Sequence, residues 1–442
     1  MCVMCGIATC HAFEGIEGLA PAGERNFTGG TANAPFALIE LDLVDGNNQP
    51  TGETVITKWG DDRFGSSSGT VTYSMNLASL NGGLSGAALA AFESAVDLAF
   101  LTWSSIANVT FQAVSGAADI EIRSVVIAGN GVPDGNVLGF FEPLDFEPIF
   151  GGDEFAIFDD VQIVFDEAEP WSVDGPGQDF FAVALHEIGH ALGMDHVPNI
   201  EDGGTLQNMN PFLSTDELQG GDVAGIQFLY GEREYDNGAD VVNFTKVNLA
   251  QTVFAKGGND NVNGSDRGDN IYGGAGNDDL FGNGGNDLIV DTRGNNAAEG
   301  GDGRDTIIGG TGSLTAEGNE GNDTLVGGIG DDTLDGGSGN DILRGDPSGS
   351  FLSGDDRLIA GSGNDVLEGG GGADTFVFSR ATGDNRILDF ELDVDSVELQ
   401  GFNFGQGTFT NDGTDTTFTF NASGVSFELV FEDIILSEVD FT

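Results

Sequence analysis

The sequence GGAGNDDLF at residues 273–281 is one copy of a nine-residue unit that recurs through the second half of the chain. A second clear copy is GGSGNDILR at residues 336–344. Stepping by nine from Asp260 to Asp341, eight of ten positions hold Asp, and two residues later eight of ten hold a large aliphatic side chain. A flexible linker has no reason to keep an aliphatic residue in register, so this joint period predicts a folded repeat.

The unit resembles the GGxGxDxUx repeat of RTX proteins. The resemblance implies a glycine-rich turn and a short strand in each unit, with two units completing one coil of a parallel β-roll. Glycine permits positive φ and close backbone approach, while carboxylates and turn carbonyls are the hard oxygen ligands that Ca²⁺ prefers. The expected ligands of several Ca²⁺ ions, which resume in a new register after a break around Pro347, are Asp260, Asp269, Asp278, Asp287, Asp305, Asp323, Asp332, Asp341, Asp356, Asp365 and Asp374.

Two repeats near the middle depart from the pattern. Asn296 and Leu314 stand where aspartate is expected, and Ala298 and Ala316 stand at the aliphatic positions. We therefore expect weakened coils there. We also expect the module to be disordered at low calcium and to fold at extracellular calcium, because ion binding would cancel carboxylate repulsion.

The net charge limits the partners of the chain. Its 442 residues hold 73 acidic and 14 basic side chains, a formal net charge of −59. A phosphate backbone needs a basic surface, so nucleic acid is excluded as a natural partner, and binding to anionic membranes is disfavoured. No run approaches 18 uninterrupted apolar residues, so we expect no membrane insertion. The composition makes no prediction of oligomeric state.

Upstream of the repeats, residues 186–196 have the sequence HEIGHALGMDH. His186 and His190 are four apart, so a helix places both imidazoles on one face. The glycine three residues later can end the helix and return His196 as a third ligand. Three imidazoles leave the fourth zinc position open for water, on which Glu187 can act as general base. A closed structural zinc site is the alternative, but it lacks an evident fourth protein ligand.

This segment resembles the long metzincin signature HExxHxxGxxH, and the Met-turn candidate NMNP follows at residues 208–211. Metzincins are zinc endopeptidases. The resemblance therefore implies peptide-bond hydrolysis, with one catalytic zinc ion on the three histidines, Glu187 as the catalytic base and Met209 as the apolar floor beneath the metal. It also suggests Leu138 and Pro211 as substrate-binding residues.

Within the metzincins, residues 55–231 look most like a matrixin. The similarity includes TKWG at 57–60, TVTYSMN at 70–76, LTWSSIANVTF at 101–111 and DELQGGDVAGIQFLYG at 216–231. Serralysins, the bacterial relatives joined to the same calcium repeats, carry Tyr where this chain has Pro211. The architecture is therefore serralysin-like, whereas the catalytic domain is matrixin-like. Histidines for the second, structural zinc of matrixins and their PRCGxPD switch are absent from the sequence.

Together these patterns predict a multidomain protein with an α/β (α+β) metzincin catalytic domain, an all-β parallel β-roll and a β-rich cap. The expected divisions are a leader or propeptide at 1–50, the protease domain at 51–231, a linker at 232–256, the calcium-binding roll at 257–377, and a cap with a type I secretion signal at 378–442.

The expected function is a secreted zinc-dependent endopeptidase that hydrolyses protein or peptide substrates. The RTX resemblance implies a bacterial, extracellular protein that uses type I secretion machinery, and residues 1–50 show no N-terminal secretory signal pattern. The alternative is a calcium-dependent extracellular adhesion or matrix protein with an inactive or auxiliary metzincin domain. The intact signature favours the protease, because an inactive domain has no physical need for Glu187.

Overall fold

The computed structural model describes two compact units of the chain. They lie within Met1–Glu234 plus Lys246–Asn248, and within Tyr235–Thr245 plus Leu249–Thr442. The described residues are 19–21, 26–28, 35–37, 40–44, 50–59, 68–125, 139–148, 155–173, 178–194, 217–230, 233, 235–347, 354–379, 383–422, 425–437 and 440.

Strands and three helices make up the described part of the first unit. The strands are β1 (Leu19–Pro21), β2 (Asn26–Thr28), β3 (Pro35–Ala37), β4 (Glu40–Val44), β5 (Pro50–Lys58), β6 (Thr70–Asn76), β7 (Thr110–Ala113), β8 (Ile120–Val125), β9 (Gly139–Pro148), β10 (Phe155–Asp166), β11 (Trp171–Ser172) and β12 (Gln178–Asp179). Among them, eight form one mixed sheet in the order β1-β4-β5-β10-β8-β6-β7, with β9 antiparallel beside β10. This arrangement confirms an α/β first domain.

Helix α1 (Ala87–Ile106) is a core helix of the first unit. Its length and mean hydropathy of 1.2 also suit a membrane span, but half of that stretch is buried inside the protein. Val96, Phe100 and Trp103 are each at most 2% exposed. The apolar residues of α1 are therefore used in packing the unit.

Helix α2 (Phe180–Ala191) carries the HExxH segment. It begins where the side chain of Asp179 accepts the N–H of Ala182 at 3.1 Å, which satisfies one of the free donors of the first turn. It ends because Gly193 adopts a φ of 95°, a left-handed conformation that favours glycine. The N–H of Met194 then returns to the carbonyl of Gly189 at 3.0 Å, which closes the turn.

Helix α3 (Gly220–Tyr230) completes the described helices of this unit. Just before it, the N–H of Leu218 donates to the carbonyl of Lys246 at 2.7 Å, and the N–H of Asn248 donates to that of Leu218 at 2.9 Å. Three residues of the segment expected as a linker, Lys246–Asn248, therefore belong to the first unit.

The second unit is built from short strands that alternate between two parallel sheets. In chain order these are β13 (Val241–Asn243), β14 (Thr252–Phe254), β15 (Asn261–Asn263), β16 (Asn270–Tyr272), β17 (Asp279–Gly285), β18 (Leu288–Val290), β19 (Asn296–Gly303), β20 (Thr306–Ile308), β21 (Leu314–Gly321), β22 (Thr324–Val326), β23 (Thr333–Asp335), β24 (Ile342–Arg344), β25 (Arg357–Ile359), β26 (Val366–Glu368), β27 (Thr375–Ser379), β28 (Asp384–Ile387), β29 (Ser396–Gln400), β30 (Thr408–Asn411), β31 (Thr416–Ala422) and β32 (Val425–Phe431). The odd-numbered strands β13 to β29 form one sheet. The even-numbered strands β14 to β28 form the other, which continues into β32, β31 and β30.

The strand register confirms two nine-residue units per coil. Between β14 and β24 the paired residues within each sheet are 18 apart, as in Leu280 with Ala298. The aliphatic side chains between the sheets are buried. The break after β24 lengthens one coil, so that Leu334 pairs with Leu358. Pairing continues without interruption from Ala298 to Ala316.

Parallel stacking begins in strands β13 and β14, within the segment expected as a linker. Val242 pairs with Val262 and Val253 pairs with Ile271, so the two valines occupy aliphatic positions of a first coil. The glycine-rich turn signature does not extend over these residues. For this reason the repeat pattern alone places the start of the roll later.

The far end of the roll is covered by antiparallel strands rich in phenylalanine. Strands β30, β31 and β32 follow one another antiparallel, and β32 joins β28 in parallel. Phe418, Phe427 and Phe431 are fully buried there. The expected cap is therefore a folded layer. Its last strand includes the start of FELVFEDIILSEVDFT at 427–442, the stretch of the cap expected to act as a secretion signal.

Alanine at Gly282 should destabilise the roll. A Cβ there would lie closer than 3.0 Å to Oδ2 of Asp287 and to the carbonyl oxygen of Gly300. Overpacking of this kind costs about 1–3 kcal/mol. We expect a lower midpoint for thermal unfolding of the roll, measured on the full chain in saturating calcium.

The matched control is Gly284→Ala in the same strand. Its nearest heavy atom would be the Cα of Asp266 at 3.6 Å, an ordinary contact distance. This variant should unfold at the wild-type midpoint. Equal losses at Gly282 and Gly284 would contradict the packing described for the turn.

Candidate metal centres

The first candidate centre lies on helix α2, where His186, Glu187 and His190 are all fully buried. The two Nε2 atoms are 3.1 Å apart. Two nitrogens bound at about 2.0–2.1 Å to one tetrahedral zinc ion are separated by about 3.4 Å, so the spacing suits two ligands of one ion. The helical spacing predicted from the sequence is therefore present.

The turn after α2 selects the tautomer of one histidine. Nδ1 of His190 is 2.7 Å from the carbonyl oxygen of Met194, which can only accept a hydrogen bond. Nδ1 must therefore carry the proton, which leaves the lone pair of Nε2 directed at a metal. The glycine turn at Gly193 thus orients a ligand as well as ending the helix.

The rest of the expected zinc site falls outside the described residues. These positions are His196, Met209, Pro211 and Leu138. Within the described ranges, no group of three His, Cys, Asp or Glu side chains is placed to hold one ion. The structure brings together two expected ligands and the expected base, and the remaining roles stay predictions.

Three aromatic side chains hold the helix that carries the histidines. The indole N–H of Trp103 donates to the carbonyl of Leu185 at 2.9 Å, and the indole N–H of Trp59 donates to that of Ala191 at 2.7 Å. The hydroxyl of Tyr230 donates to the carbonyl of Leu192 at 3.0 Å and accepts the backbone N–H of Trp59 at 3.0 Å. Carbonyls at a helix C-terminus lack intrahelical partners, and those of Ala191 and Leu192 obtain them here. Leu185 lies in the middle of the helix, so its bond to Trp103 fixes the helix at a second point.

Sequence reasoning identified these aromatics only as landmarks. Trp59 lies in TKWG, Trp103 in LTWSSIANVTF, and Tyr230 in the LYG that ends the 216–231 segment. The signal was present, because buried Trp and Tyr need a partner for their polar atom. The identity of that partner depends on residues 38 to 171 positions away, which no local pattern reveals.

The second candidate centre is the set of registered aspartates in the roll. All eleven are at most 3% exposed. They form two rows, one along each edge of the roll: Asp260, Asp278, Asp332, Asp356 and Asp374 in the first, and Asp269, Asp287, Asp305, Asp323, Asp341 and Asp365 in the second.

One carboxylate oxygen of each aspartate holds the neighbouring coil. Oδ1 of Asp278 accepts the backbone N–H of Asp260 at 2.8 Å, and Oδ1 of Asp305 accepts that of Asp287 at the same distance. The two missing positions lie in the first row, where Asn296 accepts the N–H of Asp278 at 3.0 Å. The registered positions therefore also form a ladder of hydrogen bonds, in which a side chain on each coil accepts a backbone N–H of the neighbouring coil.

In nine of the eleven aspartates the other oxygen has no protein donor, and in seven of these nine it lies over a glycine. A Cβ on Gly282 would lie closer than 3.0 Å to Oδ2 of Asp287, and one on Gly300 would lie equally close to that of Asp305. No hydrogen-bond donor in the described part of the chain reaches Oδ2 of Asp260, Asp278, Asp287, Asp305, Asp323, Asp332, Asp341, Asp356 or Asp365. Buried charged oxygens without donors are costly, so these residues suit cation ligands.

Burial also shifts the titration of these carboxyl groups. It raises the pKa of Asp356 to about 8, and the charges of Asp332 and Asp374 add to the rise. Burial raises the pKa to about 7 in Asp287, Asp332 and Asp341, and to about 6 in Asp323, Asp365 and Asp374. The folded roll without a cation therefore takes up protons near neutral pH.

Two known family models match the chain. Residues 66–231 match the family model of the matrixins. Four stretches match the model of the RTX calcium-binding nonapeptide repeat: 254–289, 281–313, 317–347 and 352–380.

Curated relatives match about one third of the chain. The interstitial collagenase of Equus caballus is 35% identical over 148 residues, covering 31% of this chain and 28% of the collagenase. Matrix metalloproteinase-16 of Homo sapiens is 31% identical over 152 residues, covering 31% and 23%. The macrophage metalloelastase of Oryctolagus cuniculus is 35% identical over 147 residues, covering 32% and 29%. The chain thus spans less than one third of the length of these relatives.

Tyr230→Phe should lower the stability of the unit that contains helix α2. The substitution leaves the buried N–H of Trp59 and the carbonyl of Leu192 without this hydroxyl, which costs about 1–3 kcal/mol. Denaturant unfolding of the catalytic unit should show this loss. Tyr272→Phe, whose ring stacks on Phe254 in the roll, is the control and should leave that transition unchanged. An unchanged transition in Tyr230→Phe would contradict the role of its hydroxyl.

Acid should stabilise the calcium-free roll. The folded-state pKa values of about 6 to 8 lie above the ordinary value of 3.8, so the folded form binds more protons than the unfolded form between these limits. Stability should therefore rise as pH falls from about 8 toward 4. Circular dichroism and thermal unfolding in a chelator at pH 8 and pH 5.5 test this. The folded fraction of the roll, and the midpoint wherever a transition is seen, should be higher at pH 5.5, and a lower folded fraction or midpoint there would refute it.

Proposed function

We propose that this chain, which carries a matrixin metalloprotease domain and RTX calcium-binding repeats, is a secreted zinc-dependent endopeptidase. In this proposal His186, His190 and His196 hold one catalytic zinc ion. The observation that supports it most directly is the buried histidine pair on α2, with Nε2 atoms 3.1 Å apart and Glu187 between them in sequence.

The residues of α2 divide the chemistry between them. Bound zinc would supply a Lewis acid that polarises the scissile carbonyl and lowers the pKa of water. Glu187 would take the proton of the attacking water and pass it to the leaving amine. The carbonyl of Met194 keeps His190 in the tautomer that offers Nε2 as a ligand. The hydrogen bonds from Trp59, Trp103 and Tyr230 keep the helix in place during the reaction.

The proposed substrate is an extended peptide or protein segment. Strand β9 pairs with β10 on one side, and no described strand pairs with its other side. Such an edge can add a substrate strand through main-chain hydrogen bonds. Leu138, directly before β9, and Pro211 are proposed to contact the substrate, and Met209 to lie beneath the metal.

The proposed role of calcium is to complete the roll after export. The buried Oδ2 atoms need a positive partner, and calcium at extracellular concentration would provide one. In its absence, repulsion between the stacked carboxylates would favour an unfolded module. We propose bacterial type I secretion as the route, with its signal in the C-terminal region.

Replacement of Glu187 by Gln should abolish proteolysis while leaving the fold intact. Loss of a general base costs about 10²- to 10⁴-fold in rate. Zinc content should be unchanged, because Glu187 is not a proposed ligand. Cleavage of casein or gelatin and metal analysis of the same sample measure the two quantities.

Glu93→Gln on helix α1 is the matched control and should cleave at the wild-type rate. Chelation should stop cleavage by the wild type. Equal activity of wild type and Glu187→Gln would refute the proposed mechanism. Failure of the wild type to cleave any member of a broad peptide library would instead favour the calcium-dependent adhesion function.

A further inference from the structure

Asp291 is an exception to the glycine pattern of the roll. It occupies the first position of its nine-residue unit, where the preceding and following units have Gly282 and Gly300. The same unit is one of the two that lack aspartate at the sixth position, which is Asn296. An added carboxylate and a missing carboxylate therefore occur five residues apart in one unit.

Asn296 retains one of the two roles of a registered aspartate. Its Oδ1 accepts the backbone N–H of Asp278 at 3.0 Å, just as Oδ1 of Asp305 accepts that of Asp287. The other terminal atom of Asn296 is an amide nitrogen, which is a donor and carries no charge. The hydrogen-bond ladder is therefore continuous here, but an anionic oxygen ligand is missing.

Asp291 brings a carboxylate oxygen beside Asp278, the aspartate that precedes Asn296 in the first row. A Cβ on Gly273 would lie closer than 3.0 Å to Oδ2 of Asp291 and also to Oδ2 of Asp278. The two oxygens thus converge on one point. Asp291 and Asp278 are 2% and 1% exposed, and no donor in the described ranges reaches either Oδ2 atom.

The carboxylate of Asp291 is also held in this orientation. Its Oδ1 accepts the backbone N–H of Arg293 at 3.3 Å, which leaves Oδ2 directed toward Asp278. Two buried, like-charged oxygens at one point repel each other unless a cation or a proton lies between them. Oxygen ligands lie about 2.3–2.6 Å from Ca²⁺, so one ion can contact both.

The other irregular unit has no such replacement. Leu314 stands at its sixth position, and a Cβ on Gly309, at the first position, would lie 3.0 Å from a methyl group of Leu314. Asp332 therefore has no carboxylate neighbour from this unit in its row, and Oδ1 of Asp332 accepts the Leu314 N–H at 2.6 Å.

We propose that Asp291 replaces the carboxylate missing at Asn296 and forms a calcium site with Asp278. The first row of the roll then has one interrupted position, at Leu314, instead of two. This inference rests on the proposed calcium-binding function of the roll and assigns a ligand outside the repeat register.

Calcium titration of the full chain by isothermal calorimetry tests the site. Asp291→Asn keeps the shape of the side chain and removes its charge, and it should bind one calcium ion fewer than the wild type. The exchange variant Asp291→Gly with Asn296→Asp restores the regular unit and should bind the wild-type number. Glu299→Gln, an exposed carboxylate nearby, is the control and should bind the wild-type number.

Circular dichroism in saturating calcium checks that each variant folds. Wild-type stoichiometry in Asp291→Asn would overturn the assignment of Asp291, and so would a lower number in the folded exchange variant. If the wild type bound no calcium in the roll, the proposed calcium-binding function itself would be refuted. The two failures are therefore distinguishable.

Discussion

The roll depends on one constraint: each registered aspartate holds the neighbouring coil with one oxygen, and in nine of the eleven the other oxygen is buried without a donor. Oδ1 accepts a backbone N–H from the adjacent coil, as Asp278 does from Asp260. Oδ2 needs the space that a glycine leaves, as at Gly282 beside Asp287. Aspartate, glycine and the 18-residue coil are therefore parts of one geometric requirement. The stacked charges make the folded roll sensitive to protons and cations.

The catalytic unit, in contrast, is held by neutral groups around its functional helix. Helix α2 is fixed by neutral hydrogen bonds from Trp59, Trp103 and Tyr230, and by the turn at Gly193. Burial holds the pKa of the Tyr230 phenol above its usual range, so the hydroxyl remains a donor at any physiological pH. The position of the histidines therefore depends on protein contacts, whereas the order of the roll is proposed to depend on ions. Part of the net charge of −59 therefore has a proposed role, as the carboxylates that bind ions in the roll.

Much of this organisation could be predicted from the sequence because its signals are local and periodic. The four-residue spacing of His186 and His190 requires only a helix. The nine-residue period fixes which residues enter the roll, and it holds even at Ala298 and Ala316, where pairing continues. The start of the roll was harder to predict from the sequence. Val242 and Val253 take up aliphatic positions in the first coil, but the flanking turns lack the glycine signature.

By itself the sequence determined the two-part architecture, the histidine pair with its adjacent glutamate, and the repeat register, because each follows from spacing along the chain. Only the tertiary structure decided which carbonyls the distant aromatics bind and which edge of the roll each aspartate joins. It also showed that Asp291, out of register, meets Asp278 above Gly273. The physical reason is that these contacts form between successive coils or between distant elements, so their geometry is set by packing.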